Sequence, residues 1–443
     1  MSDLLSIGAS GTKAYRAALA AISENISNAD TANYARRSIR MSESAVSTST
    51  SAFYVPSANF GGVEVAGVIR ASDPYLDASA RLTGNRLGSA SARAKWLTDV
   101  ETALNDTKNG VGQLMTSMFA SAETLAANPT NESRGTAFLF NIDQVVAAFQ
   151  QTASDLQTVS EGLASASSVS VSTINDALTE LARVNDGLRR VNSGTSVEAQ
   201  LIDSRDAALS TITSQIDVSI AFGDRGTVTV QYAGNNIVAN GAAGTFSVAQ
   251  NADGTLAMTL DGNAVAAPGN GVLGGLFASA SVTSTRITDV DALAVQFAQD
   301  MNNWHQAGYT SAGAAGEAIL SVGTTAASLQ LLISNPADIA TASADGTANG
   351  NLLNINSIRG TSGAESGWTR IINTHGTLLT ATLNEATAAG ARDEQARAAR
   401  EQVSGVDLDL EAAELLRMQQ NYSGCAKIIQ VARETFKNIL DLL

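Results

Sequence analysis

The stretch SGVDLDLEAAELLRMQQNYSGCAKIIQVARETFKNILDLL, residues 404–443, decides how this chain is built. Leu408, Leu415, Tyr422, Ile429, Phe436 and Leu443 recur every seven residues. Met418, Cys425, Ala432 and Ile439 hold a companion row three further on, interrupted only by Glu411. A period of 3.5 marks a helix that buries one seam against another helix, so the reading is a coiled coil. Asp407 stands where a capping carboxylate would, and Glu411 and Glu414 suit the positive end of the helix dipole. At 1.5 Å per residue the helix would reach roughly 54 Å.

A thinner seam lies at the other end. Leu5, Thr12, Leu19 and Ile26 recur every seven, with Gly8, Tyr15, Ile22 and Ala29 three further on, before Asn28, Asp30, Thr31 and Asn33 end the helix with turn chemistry. The two seams can cover each other once the middle has folded, because closing a loop of ~400 residues costs on the order of 5 kcal/mol. Two thin stripes still leave one side of each helix apolar. Neighbouring copies of the same chain are the expected cover, which makes this a polymer-forming protein.

Residues 96–215 read as long helices, for example Val145–Gly162 and Val171–Val191, with a break at Asn128-Pro129-Thr130-Asn131. From Gly226 to Ala280 there are 10 glycines and only two charges, Asp253 and Asp261. Thr227–Tyr232 alternates like a half-buried strand, and Asp253-Gly254 and Asp261-Gly262 flank Thr255–Leu260 as hairpin turns would. Helical pattern resumes at Asp289–Trp304 and Trp368–Gln402, and Gly61-Gly62-Val63-Glu64-Val65 marks a smaller β-prone piece. The expected class is α+β and multidomain. Residues 1–40 and 404–443 would form the terminal α-helical coiled coil, and 41–215 with 287–403 a mainly helical middle domain carrying a small β-hairpin region near 41–75. An inserted β-rich domain would occupy 216–286.

A chain of 443 residues has room for several cores, built mostly from Ala, Val, Leu and Ile because aromatics are only 5%. Its net charge of −15 argues against nucleic acid and anionic membrane surfaces as partners. No run of 18 apolar residues predicts membrane insertion. The start, Met1-Ser2-Asp3-Leu4-Leu5, lacks a basic segment leading into an apolar one, so no cleavable signal peptide is expected. One cysteine and two histidines favour neither disulfides nor a metal, and the expectation is a non-enzyme with no cofactor.

Residues 25–36, Asn25-Ile26-Ser27-Asn28-Ala29-Asp30-Thr31-Ala32-Asn33-Tyr34-Ala35-Arg36, resemble the N-terminal signature of bacterial flagellar rod, hook and hook-associated proteins. Ser27 stands for the usual Ala, and Ala32-Asn33 for Pro-Gly; Asn tolerates the left-handed conformation such a turn uses. The stretch from Ser404 to Gln430 is similar to the first hook-associated proteins, as are Leu201–Asp206, Asn302–Tyr309 and Gly62–Val65 with Ile69, Arg70 and Asp73. The β insertion carries no matching motif. The resemblance implies a structural subunit of the bacterial flagellum that joins hook to filament. It would be exported through the flagellar type III apparatus to the extracellular flagellum without signal cleavage. Partners implied are further copies in a helical junction zone, hook protein on one side, and a second junction protein and filament on the other. An export chaperone for the C-terminal helix is expected as well, with terminal helices in an inner tube and the β-rich domain outside.

The assembly interface expected on this reading comprises Leu5, Tyr15, Leu19, Ile22, Asn25, Ile26, Asn28, Tyr34 and Arg36, with Leu408, Leu415, Met418, Gln419, Tyr422, Ile429, Phe436 and Ile439. For Asn25, Asn28, Tyr34 and Arg36, contact with a neighbour and plain capping are both open. Gly269-Asn270-Gly271-Val272-Leu273-Gly274 matches a dinucleotide-binding pattern by letter but lacks its strand–turn–helix context, so it reads as a β-domain loop. His305 reads as a packing or capping residue, His375 as a helix-end residue and Cys425 as core filler. Asp203 and Asp206 read as part of a salt-bridged helix face or subunit contact rather than a catalytic pair. A rod or hook subunit, or a surface-binding module carried by the β insertion, is the alternative; an enzyme would need partners for His305 that are not found.

Overall fold

The computed structural model describes residues 2–31, 33–44, 61–239 and 241–441. Ala32 of the turn motif, Leu443 of the seam and residues 45–60 of the 41–75 region lie outside these residues. The helices are α1 (Ser2–Ser27), α2 (Pro74–Leu104), α3 (Val111–Ala126), α4 (Glu132–Arg190), α5 (Ser196–Gln215), α6 (Gly271–Gln306), α7 (Gly350–Asn354), α8 (Ala364–Ser404) and α9 (Leu408–Leu440). The strands are β1 (Arg37–Glu43), β2 (Val63–Arg70), β3 (Ser219–Phe222), β4 (Val228–Tyr232), β5 (Asn235–Ala239), β6 (Ala242–Ala243), β7 (Phe246–Gln250), β8 (Leu256–Leu260), β9 (Asn263–Val265), β10 (Leu320–Ser321) and β11 (Gln330–Leu331). They form small antiparallel sheets in the orders β1-β2, β3-β4-β5-β6, β7-β8-β9 and β10-β11, so the class is α+β with helix dominant.

The chain divides into two compact units. One holds Met1–Asn85, Thr173–Thr245 and Gly390–Leu443; the other holds Arg86–Ser172 and Phe246–Ala389. The second unit has a large apolar core, with Met115, Met118, Phe138, Ile142, Phe149, Phe297, Met301 and Trp368 shut off from solvent. Its aromatic rings meet edge to face, Phe138 with Trp304 at 6.0 Å and Phe149 with Trp368 at 6.5 Å between centroids. At Gly112 the Trp368 ring lies close against the backbone: a Cβ there would sit 2.7 Å from Trp368 Cδ1. The expected hairpins are present: Asp261-Gly262 is a two-residue turn with both residues left-handed, and Gly254 is left-handed in the longer loop between β7 and β8.

Several local readings need correction. The break at 128–131 is real, but 132–190 is one helix of 59 residues. Gly162 packs under Trp96 instead of ending the helix, since a Cβ there would lie 2.9 Å from the indole. Strand structure in the 216–286 segment ends at Val265, and helix begins at Gly271 and not at Asp289. The strands of that segment form two separate sheets, β3–β6 and β7–β9. The Gly269–Gly274 stretch is therefore the lead-in and first turn of α6, with Asn270 at the cap position, and not a β-domain loop. Leu273, Leu276 and Phe277 are buried on that turn, an apolar face outweighing the low helix propensity of its glycines.

The two histidines are structural and belong to the second unit. His305 is fully buried: its Nδ1–H donates to the Glu317 carbonyl at 2.6 Å, and Nε2 accepts the Ala340 N–H at 3.0 Å. Burial holds its pKa below the ordinary value, so the ring is neutral. His375 is not at a helix end; it lies inside α8, buried, with Nε2–H donating to the Leu97 carbonyl at 2.8 Å.

In the first unit, α5 and the β3–β6 sheet pack on the C-terminal part of α4. Asn185 there bonds both backbone groups of Val228, donating to its carbonyl at 2.7 Å and accepting its N–H at 2.9 Å. That amide clamp ends the unpaired length of β4, whose Val228, Val230 and Tyr232 turn inward as the alternation predicts.

Candidate functional site

The residues singled out at both ends of the chain meet in the first unit, where α1 runs antiparallel along α9. Asn25 faces Glu411 at one end of the pair, while Gly8 and Gly11 face Ile429 and Cys425 toward the other. The face of α1 turned to α9 is made of small residues: Gly8, Gly11, Ala14, Ala18 and Ala21 are buried, with Ile22 beside them. The contact is close. A Cβ on Gly8 would lie 2.7 Å from Ile429 Cγ1, and one on Gly11 2.5 Å from Cys425 Sγ.

Gly8 and Ile22 of the expected companion row lie on this face, while the leading row lies to the side of it. Leu5 and Ile26 are exposed and Thr12 and Leu19 half-buried, so the large residues of α1 flank the contact and the small ones fill it. On α9 the companion row lies against α1: Glu411 is fully buried, Met418 and Cys425 half-buried, and Ala432 buried. Leu415 and Ile429 are half-buried, Tyr422 and Phe436 open to solvent, as are Leu408, Gln419 and Ile439. Asp407 caps α9, its carboxylate accepting the N–H groups of Asp409 and Leu410.

Glu411, the residue that breaks the apolar row, is the centre of the polar part of the site. Its carboxylate receives Arg36 Nε–H at 2.6 Å and Asn25 Nδ2–H at 3.0 Å. Asn25, itself fully buried, also donates to the Arg37 carbonyl at 2.8 Å and accepts the Arg37 N–H at 2.9 Å and the Tyr34 hydroxyl at 2.8 Å. Burial pushes the Tyr34 hydroxyl pKa up to about 12, so it stays a donor. Asn33 takes a φ of 63°, the left-handed turn residue expected from its type. Asn28 stays local, its amide donating to the Glu24 carbonyl.

An ionic chain continues from there. Arg37 donates to Glu24 and to Asp203 at 2.6 Å each, and its guanidinium lies 4.9 Å from the Tyr34 ring centroid. Asp203 also accepts Arg70 Nε–H at 2.5 Å, and Arg70 stands 2.8 Å from Asp206, which pairs with Arg205 as well. Both acids are thus paired with arginine, which suits a structural tie. Among the described residues no group of three or more His, Cys, Asp and Glu is placed to hold a metal ion. No helix of the described residues is long and apolar enough to cross a membrane.

Beside the contact lies an apolar groove of about 850 Å³, lined by Leu5, Ala426, Ile429, Arg433, Phe436 and Leu440. Leu4, Leu416, Val431 and Ile439 on the same two helices are exposed as well. Exposed apolar surface of this kind marks a place where something binds.

Comparison with known proteins converges on one family. Residues 97–320 match the family described as the flagellar hook-associated protein FlgK helical domain. The chain is 28% identical over 341 residues to flagellar hook-associated protein 1 of Escherichia coli, covering 74% of this chain and 61% of that protein. Its counterpart in Salmonella typhimurium is 27% identical over 339 residues, covering 73% and 60%. That of Bacillus subtilis is 26% identical over 216 residues, covering 48% and 43%. The chain therefore spans about three fifths of the length of the enterobacterial relatives it matches. A solved structure, the flagellar hook junction protein FlgK from Burkholderia pseudomallei, is similar with a TM-score of 0.49 and 20% identity, covering 57% of this chain and 47% of that one. With half of its residues matched to the family's helical domain, the chain belongs to the FlgK family of flagellar hook-associated proteins.

Proposed function

We propose that this protein is a structural subunit of the bacterial flagellum that forms the junction between hook and filament, and that it is not an enzyme. The observation that carries the reading is the α1–α9 pair, which covers its small-residue face internally and leaves Leu5, Tyr422, Phe436 and Ile439 on an open apolar surface. Burying such residues stabilises by roughly 1.5–3 kcal/mol each, enough for several to drive association. Neighbouring copies lay their own terminal helices on this surface, extending the pair into a helical coiled-coil inner tube. Residues 41–215 and 287–403 supply the middle of the assembled subunit, and the strands within 216–286 its outer part. Leu19, Ile22, Ile26, Leu408, Leu415, Met418, Gln419 and Ile429 belong to or border the contact surface, while Asn25, Asn28, Tyr34 and Arg36 shape the turn that presents it. Hook protein lies on one side of the zone, and a second junction protein with the filament on the other. The subunit leaves the cell through the flagellar export apparatus, with a chaperone covering α9 beforehand.

The test is immunogold microscopy of isolated flagella from cells producing either the parent chain or Phe436→Asp. The expected result is one narrow band at the hook–filament boundary for the parent, with the variant unincorporated yet folded by circular dichroism. Label along the whole hook or rod would replace the junction role with that of a bulk axial subunit. A normal band from Phe436→Asp would remove α9 from the interface.

A further inference from the structure

We propose that Glu411 is a positioning residue that selects the register in which α9 lies along α1. The inference concerns the chain's own helix pair and is independent of where the protein is assembled. Two observations make register a problem this molecule has to solve. Both helices repeat every seven residues, and the face of α1 toward α9 is nearly uniform, with Gly8, Gly11, Ala14, Ala18 and Ala21 offering small residues throughout. Sliding one helix by a heptad exchanges Gly11 for Ala18 and one shallow hollow for another. A Cβ opposite Cys425 meets the movable tip of that side chain, so packing opposes such slips without forbidding them.

The polar end does separate them. Asn25 faces Glu411 and Gly11 faces Cys425, so fourteen residues back along α1 correspond to fourteen forward along α9, as a straight antiparallel pair requires. In this register the fully buried carboxylate of Glu411 receives Arg36 and Asn25. Asn25 cannot follow a slide, because its amide is bonded on both sides to the backbone of Arg37. Moving α9 by one heptad in one direction sets Met418 against Asn25, and in the other it carries Glu411 to Ala18. In either case a carboxylate or an amide is left buried without its partner, which disfavours both slips. A single buried polar pair in an otherwise apolar seam is a well-attested way to fix register.

Cys425, the chain's single cysteine, supplies the ruler. In the native register a cysteine at Gly11 lies within disulfide reach of it after a small shift, whereas one-heptad slips would bring Cys425 to Leu4 or Ala18. Gly11→Cys, Leu4→Cys and Ala18→Cys are each introduced into the full-length chain, oxidised under mild conditions and scored for the intramolecular disulfide. The Gly11→Cys bridge is expected to exceed the other two by about tenfold or more in the parent. Glu411→Met keeps the volume and removes the acceptor. In that background the preference is expected to fall to within about threefold while helix content by circular dichroism is unchanged. Retention of the tenfold preference in Glu411→Met would overturn the proposal and assign register to packing. Loss of helix content in Glu411→Met would also overturn it, because the carboxylate would then be holding the pair together instead of choosing its alignment. Equal bridging at the three positions in the parent would do the same.

Discussion

Asp203 neutralises two guanidinium groups at once, Arg37 and Arg70, both of which are almost entirely enclosed. Removing it leaves Arg37 with Glu24 alone and Arg70 with Asp206 alone, so Asp203→Ala is expected to destabilise the first unit by about 3 kcal/mol in urea unfolding. Asp203→Asn should cost less, because the amide oxygen still accepts one hydrogen bond. His305 gives the other residue-scale prediction. Its pKa is lowered from 6.5 by burial, and its Nε2 accepts the Ala340 N–H, which a protonated ring cannot do. Above pH 6.5 the folded and unfolded rings are both neutral; below it the unfolded ring takes up a proton that the folded one resists, so stability falls as pH drops. His375 acts in the same direction. The loss of melting temperature between pH 7.5 and pH 5 is therefore expected to be smaller in His305→Gln than in the parent. At this scale the structural character of His305 and of Asp203 and Asp206 was legible, because neither had the neighbours that chemistry would need. The role of Glu411 was not, since a charge in an apolar row reads as a flaw until its partners, 375 and 386 residues away, are brought to it.

At the scale of elements, the α1–α9 contact rests on the absence of side chains. Gly11→Val would place a branched side chain where a single Cβ already falls 2.5 Å from Cys425 Sγ. The expected cost is about 1–3 kcal/mol of overpacking, read as faster proteolytic removal of α1 with the core around Phe149 and Trp368 still protected. The period of seven in α9 and the Asp407 cap could be read directly, because both depend on residues near in sequence. The facing side of α1 could not. Its large residues drew the seam toward Leu5, Thr12, Leu19 and Ile26, whereas the partner needs a shallow face and takes the glycines and alanines. The same bias hid the start of α6: glycine-rich sequence reads as loop, yet Leu273, Leu276 and Phe277 supply a buried helical stripe that overrides it.

At the scale of the whole molecule, a net charge of −15 opposes the approach of like copies while the open surface of α9 favours it. Salt screens the first and not the second, so self-association measured by sedimentation velocity is expected to rise between 20 mM and 500 mM salt, by about tenfold in association constant. Phe436→Asp should abolish that rise. The broad plan, helical ends around a mixed middle, could be read from composition and period; the partition of the β-rich segment into separate sheets could not, because strand pairing is set by contacts that alternation alone does not specify. The distance along the chain between Asn25 and Glu411 also has a consequence in time. At about 5–20 residues per second, a ribosome that has released Asn25 needs roughly 20 to 80 s to deliver Glu411, 386 residues later. Throughout that interval α1 waits without its partner, and the face it leaves bare is glycine and alanine, which neighbouring nascent chains have little reason to grip.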